Sequence, residues 1–272
     1  MIIEVRQVRA NGAGVFEIYI DGSLQFVADT AFMKIEQPLN VGVLGKLTFQ
    51  DLQGSIIYHA KCSTIDNLKE ALIPMKNILL GRQKVCQYEI IDRGGNSCGC
   101  FYGLSNGLMD NKTVVELGDR IFKGYDVTQG TIRTVSFYDN ESQFAQLTKP
   151  LVTLDNLDTY FIYLKNEYSA LAPIMAFFAV YYDYIHYAHR GEYVKNSASI
   201  QVKYTYNKAN SYYNKTWVRD NFGADAEQLY LSHIQRATAE AKARAKKILK
   251  IIGIVWAICI IFVLILLFII LC

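Results

Sequence analysis

YSALAPIMAFFAVYYDYIHY, residues 168–187, is the stretch whose reading decides the fold. It is apolar or aromatic on every face until Asp183, and a helix greasy all round is buried either in protein or in lipid. As a rod of roughly 30 Å it is long enough for a bilayer, so length does not choose. Its surroundings do. An internal Pro173, the ionisable Asp183 and weakly charged flanks count against insertion. Were 168–187 a span alongside the apolar 251–272, the polybasic segment between them would prefer the cytoplasm. The N-terminal part would then have to be exported without a signal segment. Burial inside a protein core is the favoured reading, with a second membrane span as its alternative.

The rest of the chain supplies material for such a core. With 51% hydrophobic residues in 272, it holds one large domain or two small ones and is not a disordered protein. A net charge of +3 is too small to imply a polyanion-binding protein. Glu4, Arg6 and Arg9 interrupt the apolar run that a secretory signal needs, which places the bulk of the chain in the cytoplasm. Cys62, Cys86, Cys98, Cys100, Cys259 and Cys272 show no paired spacing, and free thiols in a reducing compartment follow.

From Val15 to Tyr163 short strands alternate with turn chemistry. VFEIYI (15–20) meets SLQFVA (23–28) across Asp21-Gly22, where both positions tolerate positive φ. GKLTFQ (45–50) turns through Asp51 to Gly54 into SIIYHA (55–60), and QYEIID (87–92) turns through Arg93 to Asn96 into SCGCFYGL (97–104). FKGYDV (122–127), TIRTVSFY (131–138), SQFAQLT (142–148) and DTYFIYL (158–164) continue the series, with a short helix at 65–71. That is roughly ten strands at sandwich or barrel spacing. A closed barrel removes its edges but needs something inside.

YEIIDRGGNSCGCFYGL (88–104) resembles the Y-x-I-x-D-x-x-G-x-x-x-G hairpin repeated in the tubby-like superfamily, which includes phospholipid scramblases and plant LURP-one-related proteins. LTFQDLQGSIIYHAK resembles a second copy, and SFYDNESQFAQLTK a third that lacks the turn glycine. The resemblance covers about residues 10–190. It implies a mainly β fold, a closed antiparallel barrel of about twelve strands around a central hydrophobic helix, here 168–187. It also implies lipid handling: tubby proteins bind phosphoinositides, and scramblases move lipids between leaflets. No lipid-site residue is carried over, because no matching Lys/Arg pair aligns. Asp155-Asn156-Leu157-Asp158 falls near the scramblases' acidic calcium-binding segment, but TYFIYLKNEYSA after it lacks the run of oxygens that calcium takes. A turn is expected there.

Beyond the barrel domain (1–190), residues 191–223 are rich in Tyr, Asn and Lys and read as a partly ordered connector, with SIQVKYTY alternating like an extra strand. Residues 224–250 are strong helix formers, with Asp225 as N-cap and Leu229, Ile234, Ala237, Ala241 and Ala245 on one face. IIGIVWAICIIFVLILLFIILC (251–272) carries no charge and is long enough to span the hydrocarbon. Lys246, Lys247 and Lys250 precede it, so the positive-inside bias keeps the barrel cytoplasmic on a single C-terminal anchor.

Candidate chemistry is sparse. Asp183, His186 and His189 at i, i+3 and i+6 could converge on zinc or iron, against the reading that they emerge or cap at a helix end. Cys98 and Cys100 alternate along one strand and so are expected to point to the same face, as small hydrophobes. Asn140 and Asn214 begin glycosylation sequons that a cytoplasmic domain never presents to the enzyme. Arg236, Lys242, Arg244, Lys246, Lys247 and Lys250 form the basic cluster, each cation worth about 1 kcal/mol beside an anionic bilayer. The expected partners are therefore anionic membrane lipids and a possible protein. Nucleic acid is not expected, despite Lys203, Lys208, Lys215 and Arg219 among tyrosines and Trp217. No catalytic motif stands out and no cofactor is implied. The expected role is a non-enzymatic lipid-binding or partner-binding module, the alternatives being a scramblase-like lipid mover and a scaffold without lipid specificity.

Overall fold

The computed structural model describes residues 1–10, 14–32, 45–62, 83–105, 111–155, 157–187 and 207–271. Twelve strands form one closed antiparallel barrel. They are β1 (Ile2–Arg9), β2 (Gly14–Ile20), β3 (Ser23–Phe32), β4 (Gly45–Asp51), β5 (Ile56–Cys62), β6 (Gln83–Asp92), β7 (Ser97–Ser105), β8 (Asn111–Leu117), β9 (Arg120–Gln129), β10 (Ile132–Asp139), β11 (Ser142–Pro150) and β12 (Thr159–Leu164). Each pairs with its neighbours in sequence, and β1 closes the ring on β12 through Ile3 opposite Ile162 and Val5 opposite Tyr160. Ten of these strands follow from the sequence pattern; β1 and β8 are additions. The expected helix at 65–71 and the extra strand SIQVKYTY (199–206) lie outside the described residues.

Strand alternation sorts the side chains. Ile3, Val5, Phe16, Ile18, Leu47, Phe49, Phe101, Phe137 and Ile162 point inward and are fully buried. Outward positions carry charge, as in the ion pairs Arg6–Glu4 and Lys61–Glu89.

The inward faces close on one helix. A 3-10 turn at Asn166–Leu171 leads into α1 (Ala172–His186), with Pro173 in the first turn where its missing N–H costs nothing. From Ile174 to Tyr184 every residue of α1 is buried. Its rings meet strands on all sides: Phe177 lies 5.5 Å from Phe49, Phe178 lies 5.0 Å from Phe137, and Tyr181 lies 5.2 Å from Phe101. Each such side chain contributes about 2–3 kcal/mol by burial. The stretch greasy on every face is the filling of the barrel, and protein rather than lipid covers it.

Part of the segment after α1 is packed on the barrel. Within 207–223 there is a 3-10 turn at Lys208–Tyr212 and a helix, α2 (Trp217–Phe222), both packed on the barrel's outside. Tyr212 stacks on Tyr125 at 3.7 Å, and Trp217 and Val218 cluster with Phe161 and Tyr163. Gly223, at φ +89°, turns the chain into α3 (Ala224–Leu271), a single helix that runs through 224–250 and on into the apolar stretch that begins at Ile251. Asp225 sits inside its first turn with Glu227 rather than capping it, where both acids complement the helix dipole. The buried stripe is Ala226, Tyr230 and Ala237, whereas Leu229, Ala241 and Ala245 are exposed. After Ala237 no described side chain of α3 is buried, although Arg244 still reaches Asp155 at the barrel rim.

Candidate functional site

The up-and-down order gives the barrel two unlike ends. At one end, residues 21–22, 52–55, 93–96, 118–119 and 140–141 make the connections. At the other the connections are 10–13, 33–44, 63–82, 106–110, 130–131 and 151–158, and α1 ends there. For the length of chain between consecutive strands alone, we call these the short-turn end and the long-loop end.

Four adjacent strands end their inward rows at the long-loop end with a charge. β9 runs Phe122, Gly124, Asp126; β10 runs Phe137, Val135, Arg133; β11 runs Ala145, Leu147, Lys149; and Asp158 precedes the β12 row Tyr160, Ile162, Leu164. Alternation places the four in one layer over the apolar core, with signs minus, plus, plus, minus. The last turns of α1 add Tyr182, Asp183 and Tyr187.

Two linked groups result. Arg133 donates from Nε to both Asp126 carboxylate oxygens at 2.9 and 3.0 Å, and from a terminal nitrogen to Tyr187 Oη at 3.0 Å. Tyr182 Oη donates to Asp126 at 2.5 Å. Burial works against the Arg133 guanidinium, but Tyr182 and Asp126 beside it hold its pKa above the ordinary value. In the second group Lys149, only 1% exposed, is paired with Asp158 and lies 4.2 Å from the Tyr187 ring centre. Tyr160 Oη donates to Asp183 at 2.6 Å. Burial, then the adjacent Asp158 carboxylate, pushes Asp183 up to about 7. With Asp183 protonated the charges of the layer sum to zero, and its proton lies between two carboxyls.

This layer stores charge inside the fold rather than presenting it. Both cations are committed to carboxylates, and ion pairs so placed are costly to break from one side, by roughly 3–5 kcal/mol. Cations beside the C-terminal carbonyls of α1 also suit the helix dipole.

Of the residues singled out from sequence, Asp183 belongs to this layer, where it accepts from Tyr160. Its carboxyl is buried, His186 is exposed against the Tyr182 and Tyr187 rings, and His189 lies outside the described residues. Among the described residues no group of His, Cys, Asp and Glu could hold a metal ion. Cys98 and Cys100 do not share a face. Cys98, at a register shift, bonds the Ile90 carbonyl and packs on the inner core; Cys100 is buried in a cluster with Tyr102 and Val114. Asp155 and Asp158 flank a turn and separate, toward Arg244 and Lys149 respectively. Arg236, Lys242, Lys246, Lys247 and Lys250 are exposed along α3, while Arg244 is paired with Glu240 and, at 3.1 Å, with Asp155.

Asp126, Arg133 and Lys149 escape sequence reasoning. Their only local signal is an inward row that ends in a charge, and the partners are strands or a helix away. The hairpin motif, by contrast, explains itself. Asp51 and Asp92 each accept backbone N–H bonds from across their turns, and Gly54 and Gly95 take φ +80° and +83°. Comparison of the chain with protein-family models, with curated proteins and with solved structures finds no match.

Proposed function

We propose that this protein is a membrane-anchored cytoplasmic barrel, of the tubby-like kind, that acts as a lipid-binding or partner-binding module at the inner membrane face. The observation that carries the proposal is the free end of α3. From Ala245 to Ile261 every described side chain is exposed, including Ile248, Leu249, Ile251, Ile252, Ile254, Val255 and Trp256. A continuous apolar surface of this kind calls for a cover that the barrel does not provide. Among the described residues no helix is long and apolar enough to cross a membrane. The side chains of residues 257 and 262–272 lie outside the described set, so the anchor rests on the uncharged sequence 251–272.

Charge supports the same reading. Lys242, Lys246 and Lys250 recur every fourth residue and so stack along one side of α3, next to the apolar end. The barrel wall itself is apolar inward and charged outward, the reverse of a wall that faces lipid.

A chain ending at Lys250 keeps every buried contact of α3 and is the form to test. It is expected to bind vesicles containing anionic lipid, to release them as salt rises, and to lose most binding when the six cations become Gln. Headgroup recognition by the barrel predicts preference for one anionic lipid, for example a phosphoinositide, over others at equal surface charge. Indifference to lipid composition would sink the lipid reading and leave a protein scaffold.

A further inference from the structure

Where α3 lies on the barrel fixes which end of the barrel its apolar part approaches. Tyr163 Oη donates to the Ala226 carbonyl at 2.9 Å; the His233 ring lies 5.7 Å from Phe161; and Arg244 reaches Asp155, before β12 begins. Residue numbers rise along α3 as they fall along β12. The helix therefore crosses the wall from the short-turn end to the long-loop end. Arg244 stands at the long-loop rim, and Ile251 follows seven residues later, about 10 Å along the axis. Lys246, Lys247 and Lys250 occupy that interval, at the level where cations meet anionic headgroups.

We infer that the long-loop end of the barrel faces an anionic bilayer at close range, and that the short-turn end points away from it. The inference rests on the membrane-anchor reading above. A strand of ten residues rises roughly 33 Å before tilt, so the two ends stand well apart along the axis. Any headgroup the barrel recognises would then meet the rim of the long-loop end, over the charged layer, and not the tight turns.

The test uses the full chain in liposomes of mixed phosphatidylcholine and phosphatidylserine, with a fluorescent non-natural residue at one position at a time. Val8 and Thr131 report the long-loop rim, Leu52 and Asn140 the short-turn end, and Ile254 the anchor; all five are exposed. Energy transfer to an acceptor on the lipid headgroup is expected to be at least twofold stronger from Val8 and Thr131 than from Leu52 and Asn140. Brominated acyl chains are expected to quench Ile254. Quenching at Ile254 with equal or reversed transfer at the rims overturns the orientation alone. Absence of quenching at Ile254 overturns the anchor and the orientation with it.

Discussion

The two ends of the barrel are closed by different physics. At the short-turn end each connection is resolved within a few residues: Asp51 holds the N–H groups of Gln53 and Ser55, Asp92 that of Asn96, and Asp21 with Gly22 turns at positive φ. At the long-loop end the closing residues come from β9, β10, β11, β12 and the end of α1, and Arg133 meets Tyr187 across 54 residues of sequence. Local turns can be lost one at a time. The charged layer is shared among five elements, so losing one partner leaves a buried charge on another.

The helix common to both ends gives the largest effect. Phe178→Asp puts an unpaired charge against Phe101 and Phe137, combining the roughly 3–5 kcal/mol of a lost core Phe with the cost of burying a carboxylate. Such a sum is comparable to the whole stability of a domain, about 5–15 kcal/mol. Loss of the cooperative thermal transition is expected, and a folded variant with a near-normal melting temperature would show that α1 is not the core.

Next come the charges. Lys149→Met leaves Asp158 without its ammonium and should cost roughly 3 kcal/mol in urea unfolding. Arg120→Met breaks the pair with Asp139 at the short-turn end, where the arginine is 55% exposed, and should cost less than about 1 kcal/mol. Equal losses would erase the distinction between the ends.

Acidity probes the layer without removing a side chain. Asp183 is raised to about 7, against roughly 4 in the unfolded chain. Between those values the folded state holds a proton that the unfolded state has released, so stability falls as pH rises across the window. This contribution is complete below about 4 and gone above about 7. Asp183→Asn can still accept from Tyr160 and donate toward Asp158. Its urea midpoint is expected to be flatter between pH 5 and 8 than the parent's, and higher at pH 8; an unchanged slope would remove Asp183 from this role.

The smallest effect belongs to a single turn. Gly95 sits at φ +83° with open space around its Cα, so Gly95→Ala meets only backbone strain, about 1 kcal/mol. A loss of several kcal/mol there would mean that the tight turns are coupled after all.

These differences account for what the sequence reveals. The turns of the short-turn end, the strands flanking them and the apolar helix all carry their signals within a dozen residues. β8 does not, because Val114 and Val115 are buried on opposite faces, the first under Cys100 and Tyr102, which hides the alternation. β1 alternates plainly, Ile3 and Val5 against Glu4 and Arg6, and Asn11-Gly12 follows it as a hairpin signal. Glu4 and Arg6, the charges that exclude a signal segment, are the outward half of that alternation. The packed half of 191–223 is hidden for another reason: Tyr212 and Trp217 become core only because Tyr125, Phe161 and Tyr163 lie outside the barrel wall.

The pairing of β1 with β12 also sets an order of events at the ribosome. Residue 3 must wait for residue 162 before its outer edge is covered, and the helix that fills the ring is made later still. The twelve strands can zip through eleven consecutive hairpins while the sheet stays open, and the ring can shut only around a helix that has already emerged. A nascent chain that stalls before Ala172 therefore exposes two unpaired strand edges and an empty apolar trough at once, and handling by a chaperone falls in that interval.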